Sequence, residues 1–588
     1  MNKKLHTLAR LGYSEFRPLQ EKAIDALCAG QDVLLAAPTG GGKSLVYQAA
    51  GLIRQGVAVV VSPLLSLMTQ QVNELNAKGV RAQFLNSTLN PGEQDDLVWA
   101  LRHQHIDLLY LSPEKLVQPS VIGFLHNMDI ALFAIDEAHC ISQWGGFFRP
   151  EYSQLGQLKE AFPSVPIIAL TGTVDKRTVE TIQQSLHLSH CQVLRSSFDR
   201  TNINIQIAQK RKAKQQILYF LHHEVPGKTG IIYCRSRKKT EELTAWLSDL
   251  QLPSLCYHAA LSDEEKRRNH TLFVERQGAI MVATTAYGMG IDIAHVGFVI
   301  HVDLPNSPEA YFQEVGRAGR DGQPAHSLLL YGLQDMLQAQ KLVASQPLAV
   351  EQETRHLNSF FRILESRGCR RKNLLSHFDE DIAPCQFCDR CLFRQAEQNM
   401  TTASQKLLSL VYHTKGIQPF ALLIQILLGK KTKAVRGINA ESLPLFGQGK
   451  ELSETQWKSV IRHLIAFDYL KVGTFSAFTV ELTEKSRGVL QGKVQIIIAS
   501  ERYYPTLKVD QLIENNAHWH KVLAWNYAFG KLNLSETQLR RICLHKPKTI
   551  ASLSRLTGLS KEDMVDYAEP LLNLIHDVDT KASFGACL

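Results

Sequence analysis

Five short runs rich in β-branched and other apolar residues, DVLLAAP, VAVVVSPL, IDLLYLSP, IALFAIDEAH and VPIIALTGT, recur over residues 32–173, each followed by a longer amphipathic stretch. Strands this uniformly apolar are covered on both faces, which demands a parallel sheet with helical crossovers. The series restarts near residue 205 with GIIYCRS, GAIMVATT, VGFVIHVDLP and HSLLLYG. Two parallel-sheet α/β domains in tandem are therefore expected. A chain of 588 residues is too long for one core, and domains of about 100 to 200 residues give three to five of them.

Beyond residue 340 helical periodicity takes over, first in VEQETRHLNSFFRILE and then in a cysteine-bearing segment. Helices followed by YLKVGTFSAFTVELT, two alternating runs around a Gly-containing turn, predict a winged-helix module over 401–500. The expected division is an α/β domain at 1–205, a second at 206–340, a zinc-binding helical module at 341–400, the winged-helix domain at 401–500 and a small helical C-terminal domain at 501–588.

Hydrophobic residues at 45% and charged residues at 21% describe an ordinary folded protein. No apolar run reaches the ~18 residues of a membrane span, so a cytoplasmic protein without membrane partners is expected. The net charge of +9 is modest, but residues 401–500 hold 13 Lys or Arg against 6 Asp or Glu. That local excess of +7 marks the segment as a candidate phosphate-backbone surface.

APTGGGKS, residues 37–44, sits where a strand gives way to a helix, the context a phosphate-binding loop needs. Thr39, Gly40, Gly41 and Gly42 allow backbone N–H groups to turn toward phosphate oxygens, Lys43 can reach the terminal phosphates and Ser44 can hold Mg²⁺. Ala37 stands where the strict pattern has its first glycine. Asp136 and Glu137 end another expected strand; Asp136 is placed to bind the nucleotide's Mg²⁺ and Glu137 to polarise the attacking water. In QEVGRAGRDG, Gln313, Arg317 and Arg320 lie on a turn beside a helix, and an arginine there can stabilise transition-state charge on a γ-phosphate.

Four of the eleven cysteines, Cys369, Cys385, Cys388 and Cys391, cluster as C-x15-C-x2-C-x2-C. In a reducing compartment this spacing predicts a structural tetrahedral Zn²⁺ site rather than disulfides.

Taken together, LGYSEFRPLQ, APTGGGKS, VVVSPLLSLMTQQV, DEAHCISQW, ALTGT, SSFDRTNI, GIIYCRSR, YHAALS, TTAYGMGID and QEVGRAGRDG closely resemble the RecQ family of superfamily-2 DNA helicases over roughly residues 5–500. The resemblance implies RecA-like α/β domains closing on Mg-ATP, adenine recognition by Tyr13, Arg17 and Gln20, and Arg320 as the arginine finger, supported by Arg317 and Gln313. It implies an ATP-dependent DNA helicase that moves 3′ to 5′ on single-stranded DNA and unwinds duplexes in repair and recombination. Partners would be single-stranded and duplex DNA and a single-strand-binding protein.

In that family an aromatic-rich loop after the DEAH box senses single-stranded DNA. Here Trp144 and Phe148 offer flat faces for stacking on bases and Arg149 can contact phosphate. The family usually reads WGHDFRP where this chain reads WGGFFRP, so Gly146 and Phe147 replace a polar pair. Weaker DNA stimulation of ATP hydrolysis, or rerouting of the coupling through His139, is the expected consequence.

In the winged-helix segment Lys430, Lys431, Lys433 and Arg436 are the backbone-binding candidates, with a solvated helix end as the competing reading. Phe475 and Phe478 at the hairpin either wedge against the terminal base pair or belong to the core of the wing. Asp379 falls where the family commonly has glycine. The tail resembles a divergent helicase-and-RNaseD C-terminal domain, and its near balance of charge gives no argument for DNA binding. Two rival readings of function remain: a related motor acting on RNA, and a DNA-binding or strand-annealing protein with a weakly coupled or decayed ATPase, which Gly146 and Phe147 favour.

Overall fold

The computed structural model describes residues 3–38, 40–63, 65–85, 91–141, 150–172, 175–288, 293–344, 350–393, 395–473, 479–501, 504–514, 517–528, 534–560 and 568–575. The first sheet contains β1 (Val33–Ala36), β2 (Val57–Val61), β3 (Ala82–Leu85), β4 (Leu108–Leu111), β5 (Ile130–Ile135), β6 (Ile167–Thr171) and β7 (Gln192–Arg195). They run in the order β3-β4-β2-β5-β6-β1-β7 and every pair is parallel. Every residue of the central β1, β2 and β6 is buried, as their unbroken apolar runs require. Helix Lys43–Ile53 packs Val46, Ala49 and Ala50 into that core against Val60 and Leu132.

The second sheet contains β8 (Ile203–Gln209), β9 (Gly230–Tyr233), β10 (Ser254–Tyr257), β11 (Ile280–Ala283), β12 (Phe298–His301) and β13 (Ala325–Tyr331), in the order β10-β11-β9-β12-β13-β8. Two tandem α/β domains are thus present as expected, but each sheet has two strands that the apolar runs did not reveal. The four are β3, β7, β8 and β10, which are the four edge strands. An edge strand is covered less completely and tolerates polar residues. QVLR of β7 and SLCY of β10 are accordingly half-exposed, and INIQIAQ of β8 alternates isoleucine with Asn204 and Gln206.

The chain divides into two compact units, one of Met1–Ile207, Gly288–Val299 and Leu304–Glu501, the other of Ala208–Tyr287, Ile300–Asp303 and Arg502–Leu588. In the first, helices Val350–Glu365 and Arg370–Ser376 lead to the cysteine cluster. Arg370, buried beside Asp389 at 3.1 Å, also donates to the Leu364 carbonyl at 2.6 Å.

A short antiparallel pair, β14 (Glu397–Asn399) with β17 (Ile497–Ala499), encloses the winged module and was not anticipated from its three-residue strands. Within it helices Thr401–His413, Phe420–Leu427, Lys433–Gly437 and Glu454–Ala466 precede the expected hairpin of β15 (Leu470–Val472) and β16 (Val480–Leu482). Ser453 caps the last helix reciprocally with Gln456. Trp457 is wholly buried and donates to the Gly449 carbonyl at 2.9 Å. In the second unit Trp519, Val522, Leu539, Ile542 and Leu571 form the small core of the C-terminal helices. Among the described residues no helix is long and apolar enough to cross a membrane.

Trp457→Ala should destabilise the winged module by about 3–5 kcal/mol, the usual cost of emptying a buried aromatic site, seen as an earlier unfolding transition in a denaturant titration.

Candidate active site

Parallel register places the ends of β1, β5 and β6 together. Ala36 is level with Thr171, and Ile135 with Ala169, so the loop after β1 and the acidic pair after β5 emerge on the same edge. Gly40 and Gly42 have φ of 80° and 73°, the left-handed region where a side chain costs energy. A Cβ at Gly42 would lie 2.3 Å from Gln20 Nε2. The Gln20 amide reaches into the loop, donating to the Gly42 carbonyl at 3.1 Å, while its Oε1 accepts from Arg17 N at 2.8 Å. Lys43 Nζ donates to the carbonyls of Ala37 at 2.9 Å and Pro38 at 3.4 Å.

A cleft of about 410 Å³ gathers most of the sequence candidates. Gly40, Gly42, Lys43 and Ser44 line it with Asp136 and Glu137, and so do Tyr13, Arg17 and Gln20 and, from the second motif region, Gln313, Arg317 and Arg320. Gly41 belongs to the same loop, its N–H bonded to the Pro38 carbonyl at 2.9 Å. Lys78 Nζ sits 5.3 Å above the ring of Tyr13. Arg320 packs on the phosphate loop, its Cγ 3.8 Å from where a Gly40 Cβ would be. Thr39 lies outside the described residues.

Burial and the adjacent Glu137 raise the Asp136 carboxyl from 3.8 to about 7, against the opposing pull of Lys43. The Asp136 Oδ1 accepts from Glu137 N at 2.9 Å and its carbonyl accepts from Tyr152 Oη at 2.9 Å. Glu137 has φ of 49°, a strained conformation for a residue with a side chain. His139, pressed down to about 4 by burial and then by Lys43, is a neutral imidazole at neutral pH. Its Nδ1 lies 3.2 Å from both Thr171 Oγ1 and Glu137 Oε2. His139 thereby joins the acidic pair to the end of β6, a link that the spacing of the two motifs in sequence does not reveal.

The cleft pairs a cationic phosphate cradle with a carboxyl whose ionised form is penalised until positive charge arrives. That is the donor set a divalent cation on a nucleotide needs: Ser44 and Asp136 would hold Mg²⁺, which would supply charge neutralisation at the phosphates.

The four cysteine sulfurs lie within 4.8 Å of one another. Cys369 Sγ is 3.8 Å from Cys388 Sγ, and Cys385 Sγ is 3.9 Å from Cys391 Sγ. Four sulfurs at ~2.3 Å from one tetrahedral Zn²⁺ would be about 3.8 Å apart, so the cluster fits that ion. Backbone N–H groups of Arg370, Cys385 and Cys388 point at its sulfurs at 3.3–3.4 Å, as suits thiolates. Asp379, where glycine was expected, has φ of 58°, and its carboxylate accepts from Lys176 N at 2.8 Å, next to the Asp175 cap of helix Lys176–Ser185.

The remaining candidates divide. Trp144, Phe148 and Arg149, with Gly146 and Phe147, lie outside the described residues, as do Phe475 and Phe478. Lys431 and Lys433 are exposed, whereas Lys430 pairs with Glu454 at 3.1 Å and Arg436 lies 3.5 Å from Glu441. Not singled out by motif reasoning were Arg200 and Asn202, which hold the turn bearing Arg317 and Arg320 from over 110 positions away. Their only sequence signal was their place in SSFDRTNI.

Comparison with known proteins gives four family models in succession: DEAD/DEAH box helicase over residues 17–182, helicase conserved C-terminal domain over 209–322, RecQ zinc-binding over 333–392 and RQC domain over 394–506. The ATP-dependent DNA helicase RecQ of Pasteurella multocida is 35% identical over 96% of this chain and 92% of its own length. That of Haemophilus influenzae is 34% identical over 96% of this chain and 94% of its own, and that of Bacillus subtilis 31% identical over 82% and 83%.

Because the folded-state value of Asp136 lies above the 3.8 of an unfolded aspartate, its ionisation costs stability. The cost is absent below about pH 4, grows with pH and is complete above about pH 7. The nucleotide-free Asp136→Asn protein should therefore gain melting temperature over wild type as pH rises from 5 to 8; a pH-independent difference would contradict this. Metal analysis should find one zinc per chain, lost in Cys388→Ser.

Proposed function

This chain belongs to the RecQ family of helicases, and we propose on that premise that it is an ATP-dependent DNA helicase, translocating 3′ to 5′ on single-stranded DNA and unwinding duplexes in repair and recombination. The observation that carries the reading is the cleft in which Lys43, Asp136, Glu137, Arg317 and Arg320 converge.

Tyr13, Arg17 and Gln20 recognise the adenine end of ATP, supported by their place in the lining of the cleft. The backbone of Thr39, Gly40, Gly41 and Gly42 cradles the phosphates, and Lys43 leaves its loop carbonyls for the terminal phosphates. Glu137 orients and deprotonates the attacking water. Neutral His139 stands 3.2 Å from Glu137 without competing for the proton. Arg320, supported by Arg317 and Gln313, stabilises charge developing on the transferred phosphoryl group.

On the DNA side Trp144, Phe148 and Arg149 form the loop that reports single-stranded DNA to the acidic pair. Gly146 and Phe147 make that report weaker than in relatives with a polar pair. Lys431 and Lys433 are the stronger contacts to duplex phosphates, since Lys430 and Arg436 stand beside carboxylates. Phe475 and Phe478 meet the terminal base pair, and Cys369, Cys385, Cys388 and Cys391 hold a structural zinc. The five-part division, with a helicase-and-RNaseD-like tail after residue 500, is supported by the ends of the family matches at 182, 322, 392 and 506. This reading places the protein in the cytoplasm, with a single-strand-binding protein as a further partner.

Steady-state ATP hydrolysis with and without single-stranded DNA tests the proposal. Stimulation by DNA, with a loss of about 10²-fold or more in Lys43→Ala, is expected; no hydrolysis would point instead to a DNA-binding protein. The double variant Gly146→His, Phe147→Asp should raise the ratio of DNA-stimulated to basal rate, and an unchanged ratio would reject the role given to those two residues.

A further inference from the structure

The turn that carries Arg317 and Arg320 is held only in part by its own helix, through Arg317 N to the Glu314 carbonyl at 3.3 Å and Ala318 N to the Val315 carbonyl at 3.0 Å. Helix Pro308–Val315 ends at Gly316, and carbonyls at such an end need partners from elsewhere. Arg200 supplies them. Its Nη1 donates to the Gly316 carbonyl at 3.2 Å, and its Nη2 donates to the carbonyls of Ala318 at 2.9 Å and Gly319 at 2.7 Å. Asn202 adds bonds from Nδ2 to the carbonyls of Gly319 and Gln323, both at 2.8 Å.

The fit is close. Gly319 has φ of 62°, and a Cβ there would stand 2.4 Å from Asn202 Nδ2. The clamped carbonyls belong to the residues on either side of Arg317 and to the one before Arg320.

The clamp is itself anchored. Arg371, in the helix that follows Cys369, lies 2.9 Å from Asp199 Oδ1 and donates to the Thr201 carbonyl at 3.3 Å. Glu380 accepts from Phe198 N at 2.9 Å. The residues flanking Arg200 are thus gripped by the module that the cysteines organise.

We propose that Arg200, with Asn202 beside it, is a positioning residue for ATP hydrolysis, fixing the turn 316–320 so that its arginines meet the phosphate loop. The inference rests on the reading of Arg320 as the arginine that stabilises the transition state. The planar guanidinium reaches the Gly316 carbonyl from one nitrogen and those of Ala318 and Gly319 from another, a spread that the single nitrogen of a lysine ammonium does not offer. Release of the turn would misplace Arg320 by a fraction of its length, enough to slow chemistry without weakening substrate binding.

The test is a double-mutant cycle on full-length protein, reading kcat and KM for ATP at saturating single-stranded DNA. Arg200→Ala should lower kcat about tenfold or more with KM changed less than about twofold, and Arg200→Lys should not restore it. In an Arg320→Ala background, Arg200→Ala should cost less than about twofold further, because its effect acts through Arg320. A merely structural role would multiply the two losses, and that result overturns the inference, as does wild-type kcat in Arg200→Ala. Should Arg200→Ala fail to fold, Asn202→Ala enters the same cycle with the same expected non-additivity. Undiminished kcat in Arg320→Ala alone would instead remove the reading of Arg320, and the inference with it.

Discussion

The parallel register of β1, β5 and β6 is the constraint on which the site depends. Parallel strands deliver all their C-terminal ends to one edge, so residues distant in sequence are brought level there without any long connection doing the work. With Ala36 beside Thr171 and Ile135 beside Ala169, the phosphate loop, the Asp136–Glu137 pair and the His139–Thr171 contact become neighbours. A slip of one residue in either pairing would turn every side chain of the strand to the opposite face and separate the loop from the carboxylates.

Electrostatics then act within that geometry. The phosphate loop brings Lys43 toward a carboxyl pair whose first member is held near 7 by burial and by its neighbour. Buried Asp136 is poorly solvated by itself, and its ionised form becomes favourable when the opposite charge is present. His139 stays neutral in the same field, so it stands 3.2 Å from Glu137 without adding a charge. The site thus sets a cationic phosphate loop beside a buried carboxyl, and its cost is borne by the surrounding core.

The cysteine module has a wider reach than metal binding alone would require. Besides the Arg371 and Glu380 contacts, Asn204 Nδ2 bonds to the Phe387 carbonyl, and Asp389, the partner of buried Arg370, accepts from Ile207 N at 3.2 Å. Four residues of the module, Arg371, Glu380, Phe387 and Asp389, fasten residues 198–207 to it, and from that segment Arg200 and Asn202 reach the arginine turn. Asp379 joins helix Lys176–Ser185 to the same scaffold. A small metal-organised fold can in this way set the placement of groups on several elements that share no sequence proximity.

The sequence by itself determined the chemistry that is encoded locally. APTGGGKS, DEAH and the four cysteines each need only a few residues at fixed spacing on one turn or one strand end, and the uniform apolar runs of the central strands required a parallel sheet. Edge strands escaped because β3, β7 and β10 have less cover and because β8, though buried, interrupts its isoleucines with Asn204 and Gln206. Only the tertiary structure decided how Arg200 clamps Gly319, how Asp379 reaches Lys176 at 203 positions' distance, and that Lys430 stands against Glu454. Such contacts depend on where the backbone returns in space, and a side chain's partner across a fold leaves no periodicity or spacing in the chain that bears it.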